Sequence, residues 1–423
     1  MQYPSLKTLN FKNYKNLTMG NAPIELHQLN ILIGPNCCGK SNLIGTLQFL
    51  KDGVTARAEA DIGLTGLEVA LDHLGGAKIL NGKIARPAGV NFEFEFSMTE
   101  LMPRGGVLEL GLEIPTNGRR VTIHQELLRT GNADKPFYYY QCHDKESGKG
   151  VVSFYNQPER GSHFEQLHDV PINDLALISI TKLLENSQLP PEKAPLYKVR
   201  RHLMETIAQW RFYNANHTNL YNIRNSEPKI GGQEVLLSAA LENLSLVLFN
   251  LSNQYIDFEE NINNAMKAIL PTTRRVRAIP SGRLGLTVEW YFEGIEEPFY
   301  LNEMSDGAVR MLCWATILHS PVLPPLLVID EPELGLHVAW MSTLAQWLKK
   351  AARKTQVVIA THSPDLLDHF TDNLEDVICF CKEKDHFMPK HLSRKRLSNA
   401  LKEGWQLGDL YRVGDPEVGG WPW

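Results

Sequence analysis

The feature that constrains this chain most is a short apolar run, Leu29-Asn30-Ile31-Leu32-Ile33, that breaks directly into Gly34-Pro35-Asn36-Cys37-Cys38-Gly39-Lys40-Ser41. Such a run ahead of a glycine turn predicts a buried strand, and the spacing G-x-x-x-x-G-K-S predicts a loop that wraps a phosphate chain. Gly34 and Gly39 permit backbone conformations in which successive N–H groups face inward. The helix expected from Lys40 onward aims its positive dipole end the same way. Leu43, Leu47 and Leu50 recur behind it at helical spacing. The segment Gly34, Pro35, Asn36, Cys37, Cys38, Gly39, Lys40, Ser41 and Asn42 is therefore the candidate cradle for ATP, with Lys40 reaching the β- and γ-phosphates and the Ser41 hydroxyl on Mg²⁺.

The carboxy-terminal third supplies matching chemistry. Leu326-Leu327-Val328-Ile329-Asp330-Glu331 is an apolar strand that ends in two carboxylates. Asp330 is placed to help hold Mg²⁺, and Glu331 to orient and polarise an attacking water. Gln356 to Ala360 is a second buried strand with the polar tip Thr361-His362-Ser363, a ligand-facing position in doubly wound sheets, and His362 there can report a γ-phosphate. Upstream, Ser305 and Gly307 precede an apolar helix. Ser305 reads as its N-cap, and a capped helix end is also an anion site.

Around these motifs the pattern alternates between strand and helix, which sets the fold class as α/β. Leu6 to Tyr14 reads as a half-buried strand expected to pair with the strand feeding the loop. Gly53 to Gly89 reads as surface helices and loops. From Val90 to Tyr155 the period is two, with Phe92, Phe94 and Phe96 alternating with Glu93 and Glu95, so an antiparallel sheet is expected with turns at Arg104-Gly105-Gly106, Asn117-Gly118 and Gly148-Lys149-Gly150. After a break at Pro190-Pro191 come a helix over Tyr197 to Trp210, the aromatic stretch Trp210 to Tyr213, and two helical patterns between Glu242 and Leu270. No long heptad array is present. The expected organisation is one domain over 1–423 in two discontinuous parts. A P-loop part spans 1–89, an antiparallel β and helical insertion 90–283, and the remaining motifs 284–423.

Charge and cysteine usage narrow the setting. A formal net charge of −5 argues against coating nucleic acid by bulk charge. Nucleic acid remains a partner only through local runs such as Arg274-Arg275-Arg277, Lys349-Lys350-Arg353-Lys354 and Lys390 to Arg396, each read first as a solvated face. No stretch approaches the roughly twenty apolar residues of a membrane span, and Met1-Gln2-Tyr3-Pro4 is not a signal, so a cytoplasmic protein without a membrane partner is expected. Six scattered cysteines fit a reducing compartment.

Together Gly34 to Ser41, Ser305 to Arg310, Leu326 to Leu336 and Thr361 to Pro364 resemble the ABC-type ATPases of the RecF and SMC class, and within it compact AAA ATPases related to the OLD (overcoming lysogenization defect) family. The resemblance implies an ABC-type P-loop ATPase head with a mixed sheet core, an antiparallel β subdomain and a helical insertion. It implies hydrolysis of ATP to ADP and phosphate with Lys40, Glu331 and His362 as catalytic groups. It also implies a homodimer or higher even oligomer in which Ser305, Gly307 and Arg310 touch the γ-phosphate of the opposite subunit and Glu333 to His337 lies along the seam. OLD nucleases carry a Toprim domain, but too few residues follow Thr361 for one. A nuclease or toxin effector on a separate chain, in anti-phage defence or DNA repair, is the expected partner. Three departures stand out: Asp306 replaces the first glycine of the transporter signature, Val338 follows His337 where relatives often have proline, and the Q-loop glutamine has no clear place between Val90 and Asp174. Two alternatives are a motor for membrane subunits, disfavoured by the long separation of Ser41 from Leu326, and a nucleotide-gated scaffold with negligible hydrolysis, disfavoured by Glu331.

Overall fold

The computed structural model describes residues 3–19, 22–55, 66–76, 89–113, 121–131, 136–144, 149–155, 164–171, 174–184, 195–383 and 386–419. In chain order these form β1 (Leu6–Lys12), β2 (Ile24–Glu25), β3 (Leu29–Ile33), α1 (Lys40–Thr55), α2 (Gly66–Leu74), β4 (Val90–Phe96), β5 (Gly106–Glu113), β6 (Thr122–Arg129), β7 (Tyr138–Asp144), β8 (Lys149–Tyr155) and β9 (Phe164–Pro171). There follow α3 (Ala176–Leu184), α4 (Pro195–Ala208), β10 (Arg211–Asn214), α5 (Leu220–Asn225), α6 (Leu244–Gln254), α7 (Phe258–Ile269), β11 (Thr273–Ser281), β12 (Gly285–Phe292), β13 (Phe299–Tyr300), α8 (Asp306–Leu318), β14 (Leu326–Asp330), α9 (Met341–Ala352), β15 (Gln356–Ala360) and β16 (Val377–Glu383). The chain divides into two units, one of residues 1–27, 34–210 and 379–391, the other of 28–33, 211–378 and 392–423. Residues 211–283 group with the carboxy-terminal motifs.

The first unit is built on an antiparallel sheet of order β2-β1-β4-β5-β6-β7-β8-β9. Its logic is the period of two: Phe92, Phe94 and Phe96 are buried on one face while Asn91 is exposed on the other. β1 matches that pattern, pairing Leu9 with Phe94 and Phe11 with Phe92, and its partners are β2 and β4. The expected pairing of β1 with the loop-feeding strand is therefore corrected. A strand with one polar face suits an antiparallel sheet, whereas β3 is buried at all five positions and suits the middle of a parallel sheet. α1 buries Leu43, Leu47 and Leu50, and Phe49 meets Phe92 with ring centroids 5.9 Å apart. α2 packs on α1 and is buried at Leu67, Val69, Ala70, Leu71 and Leu74, so it is not the surface helix expected. The turns at Asn117-Gly118 and Gly148, the Pro190-Pro191 break and the final residues 420–423 lie outside the described residues.

One buried charge organises the far side of this unit. Glu126 on β6 is fully buried and accepts hydrogen bonds from the Ala176 N–H (2.6 Å), the Leu177 N–H (2.8 Å) and the Tyr140 hydroxyl (2.6 Å), closing the first turn of α3. Burial pushes its carboxyl up to about 7 despite those three donors.

In the second unit four strands run parallel in the order β10-β14-β15-β3. Every residue of β3 and β15 is buried, which explains why both are apolar apart from Asn30 and Gln356. α8 is almost wholly buried from Ala308 to Leu318, and α9 buries Leu344, Ala345, Trp347 and Leu348. β11, β12 and β13 form a separate antiparallel sheet that packs on α6 and α7, the two helices expected before Pro271. β10 was legible only as an aromatic stretch; it pairs with β14 from Arg211 opposite Leu327 to Asn214 opposite Asp330.

Candidate active site

In the first unit the loop after β3 has the predicted shape. Gly34 and Gly39 have φ of 146° and 111°, and Cys37 between them has φ of 63°. A Cβ on Gly39 would fall 2.3 Å from Leu17 Cδ2, so glycine is required there on steric grounds as well as by backbone angle. Cys37 pays a strain of about 1 kcal/mol for a left-handed conformation without being glycine. Asn16 holds it: the Asn16 amide donates to the Cys37 carbonyl (2.7 Å) and its oxygen accepts from the Asn42 amide (2.7 Å). The buried Lys40 ammonium donates to the carbonyls of Gly34 (2.8 Å) and Pro35 (3.2 Å) and lies 3.7 Å from Cys38 Sγ. α1 carries no acid in its first turn, and Ser41 is exposed at that helix end. A cation, a helix amino terminus without acidic competition and an inward-curled backbone are what a polyphosphate requires, so these residues fit ATP.

In the second unit the strand ends converge. β3, β14 and β15 are parallel, with Ile329 opposite Ile359 and Ile359 opposite Ile31, so their carboxyl ends share one edge. The chain leaves Leu32 there, its carbonyl accepting from the Thr361 N–H (3.1 Å). At the same edge Glu331 has φ of 53°, a rare conformation for a non-glycine residue, held by its N–H donating to the Ala360 carbonyl (2.8 Å). Two amides from β10 and the turn after it grip the carboxylates. Asn214 Nδ2 donates to Asp330 Oδ2 (2.9 Å) and Asn216 Nδ2 to Glu331 Oε2 (2.9 Å). Sequence reading missed both, because no spacing marks an asparagine as the neighbour of a strand more than a hundred residues away. Asp330 offers the hard oxygen donor that Mg²⁺ takes.

Glu333 ties the two strand tips together. Its Oε1 accepts from the Thr361 hydroxyl (2.6 Å) and the His362 N–H (3.0 Å), while Oε2 is buried with no hydrogen-bond partner among the described residues. Burial, and less strongly the nearby Glu331, push its carboxyl above the usual range. The half-buried His362 ring has the Tyr411 hydroxyl 3.5 Å from Nδ1. The expected helix cap is present at α8, where Ser305 Oγ accepts from the Ala308 N–H (3.4 Å). A Cβ on Gly307 would sit 2.9 Å from the Trp340 ring and 3.2 Å from the Gly335 carbonyl, so this glycine permits close packing within the chain. Arg310 donates to the Ala215 carbonyl (3.0 Å), which lies between the two gripping asparagines, and Asp306 pairs with Arg224 at 2.6 Å. The amides beside the carboxylates are those of Asn214 and Asn216.

The basic runs are mostly engaged in their own fold. Arg275 pairs with Glu259 (2.6 Å), Arg277 with Glu289 (2.9 Å) and Arg396 with Glu417 (3.0 Å), while Lys349 donates to the His369 carbonyl (2.8 Å). That is the behaviour of solvated faces. Among the described residues no helix is long and apolar enough to cross a membrane.

The sequence model of the family described as "AAA domain, putative AbiEii toxin, Type IV TA system" matches residues 29–368, a span that includes both halves of this chemistry. The chain belongs to that family. AAA domains are ATPases, and this chain is an ATP-hydrolysing AAA protein. No curated protein matches it. Among solved structures the AAA chain is similar to an SMC head bound to the C-winged helix domain of ScpA, at 13% identity over 93% of this chain and 99% of that chain, with a TM-score of 0.51. It is also similar to an SMC head with an extended coiled coil bound to the C-terminal domain of ScpA, derived from Pyrococcus furiosus, at 14% identity over 95% and 99% of the two chains with a TM-score of 0.46. The first likeness assigns the fold as the ABC-type P-loop head of the SMC class.

Proposed function

We propose that this AAA protein is the ATP-dependent switch of a two-component system, in which ATP-driven association of two copies gates an effector carried on a separate chain. Residues 34–42 hold the phosphates, with Lys40 on the β- and γ-phosphates. Ser41 and Asp330 supply oxygen donors to Mg²⁺, which neutralises phosphate charge when bound. Glu331 accepts the proton of the attacking water, and His362 reads the γ-phosphate. One observation within the second unit supports this reading: β3, β15 and β14 run parallel and end at one edge, which carries Asp330 and Glu331 at the end of β14 and Thr361 and His362 after β15. Association is supported by the α8 end, where the exposed Tyr221, Tyr300 and Val338 lie on the segments that surround Ser305 and Gly307. A defence setting is supported by the family description, which names a type IV toxin–antitoxin system.

The test compares two variants. Lys40→Ala is expected to weaken ATP binding at least tenfold, because it removes the ammonium from the loop. Glu331→Gln is expected to bind ATP normally, lower turnover at least a hundredfold and accumulate as a nucleotide-bound dimer in light scattering. Unchanged affinity in the first and unchanged turnover in the second would overturn the assignment.

A further inference from the structure

Two thiols stand side by side on β16. Cys379 and Cys381 occupy alternate positions, so both leave the same face of the strand, and their Sγ atoms are 3.2 Å apart. Cys379 is buried and Cys381 half-buried. The residue between them reaches the phosphate loop. Phe380 Cβ lies 3.2 Å, and the Phe380 carbonyl oxygen 3.5 Å, from the point where a side chain on Gly34 would begin. Cys38 Sγ is 2.9 Å from the same point, and the Lys40 ammonium is 3.7 Å from that sulfur. The backbone that carries the dithiol is thus the wall against which the first glycine of the loop is packed.

We propose that Cys379 and Cys381 form a reversible dithiol–disulfide site, oxidised by hydroperoxides, whose bridged state distorts the phosphate loop and weakens nucleotide binding. The coupling rests on the reading of residues 34–42 as the nucleotide cradle. In the first step Cys381 loses its proton and its sulfur attacks a peroxide oxygen. The O–O bond breaks, leaving a sulfenic acid on Cys381 and releasing water from hydrogen peroxide or an alcohol from an organic peroxide. Cys379 then attacks that sulfur. The S–S bond forms, the S–O bond breaks, and hydroxide departs with the Cys379 proton as a second water. Two thiols give up two electrons and the peroxide takes both. The hydrogen bond with Cys381, together with burial, holds the Cys379 thiol well above its ordinary range, which leaves the more accessible Cys381 as the attacking sulfur.

Geometry supplies the coupling. A disulfide is about 2.05 Å long, so the sulfurs must close by roughly 1.1 Å, and alternate Cα atoms of a strand stand about 6.6 Å apart, near the upper limit that a disulfide spans. Relaxing the bridge toward the commoner separation of about 5.5–6 Å draws β16 in at Phe380. Close-packed interiors transmit such shifts rather than absorb them, and Gly34 has no side chain to buffer the movement. A bridge strained in this way is easily reduced, as a reversible site requires.

The experiment uses the purified full chain, reduced or treated with hydrogen peroxide. Peptide mapping by mass spectrometry is expected to show Cys379 and Cys381 joined with loss of two hydrogens. Binding of a fluorescent ATP analogue is expected to weaken at least tenfold and to return with dithiothreitol, while Cys381→Ser, or equally Cys379→Ala, retains reduced-state affinity under peroxide. Hydrogen exchange of residues 34–42 reads the distortion without nucleotide and should rise on oxidation of the wild type alone. Absence of the bond overturns the site. A bond that leaves both exchange and affinity unchanged overturns the coupling, as does an equal loss in Cys381→Ser, which would assign the effect to the exposed Cys37. Failure of the reduced wild type to bind nucleotide would count against the cradle reading alone, since bond formation and hydrogen exchange still decide the dithiol.

Discussion

At the scale of single residues the candidate site is held by groups that do no chemistry themselves. Glu331 sits in a left-handed conformation, and the Asn216 amide fixes the oxygen that this backbone presents. A hydrogen bond to a charged group contributes about 1.5–3 kcal/mol, so Asn216→Ala is expected to lower kcat roughly ten- to hundredfold with KM little changed; a steady-state assay in which KM rises and kcat holds would show that Asn216 serves binding. Glu126 gives a prediction of a different kind. Its carboxyl has a folded pKa of about 7, above the unfolded value of about 4.3, so the folded chain binds more protons between those limits. Stability from this group is complete below the unfolded pKa and is lost as pH rises through 7. Urea midpoints should therefore fall between pH 5 and pH 8 in the wild type and stay level in Glu126→Gln, which starts lower because its amide nitrogen faces the Ala176 or Leu177 N–H. An identical slope in both proteins would place the titration elsewhere.

Elements show which parts of the fold could be read in advance. The phosphate loop is set by sterics that spacing encodes: Gly39→Ala would drive a methyl into Leu17 at φ of 111°, and we expect a loss of at least 2 kcal/mol in loop stability, read as nucleotide affinity reduced more than tenfold with the global melting temperature shifted by a few degrees at most. Affinity unchanged in that variant would mean that the loop relaxes around Leu17. β14, β15, α8 and α9 were legible because each is long enough to display its period or an unbroken apolar run. β10 was not. Four residues, Arg211-Phe212-Tyr213-Asn214, are too few to distinguish a strand from an aromatic loop, and its strand character comes from the ladder with β14. β11 was hidden for another reason: Arg275 and Arg277 read as a basic run, whereas each is matched to an acid, Glu259 and Glu289, brought near by the fold. The pairing of β1 was misjudged because proximity in sequence favoured β3, while complementary burial patterns favoured β4.

At the scale of the whole molecule, association can be tested by complementation. Ser305 caps α8, so Ser305→Arg costs about 1 kcal/mol of helix stability and leaves the loop intact, whereas any side chain on Gly307 collides with Trp340 within the same chain and confuses folding with assembly. We expect Ser305→Arg to bind ATP normally and to lack turnover, and an equimolar mixture with Lys40→Ala to recover part of the wild-type rate, since a mixed dimer keeps one composite site. A mixture that stays inactive although mixed dimers form in native mass spectrometry would remove the trans reading. A separate consequence follows from the place of β3. Its Asn30 donates to the Val357 carbonyl across 327 positions of chain, so the strand that feeds the phosphate loop has its sheet neighbour only when β15 has been made. At about 5–20 residues per second, a ribosome leaves that apolar strand waiting roughly 16–65 s for its partner. During synthesis the segment Leu29–Ile33 is thus a natural client for a chaperone, and a nascent chain stalled before residue 356 would expose the same five residues as an adhesive edge.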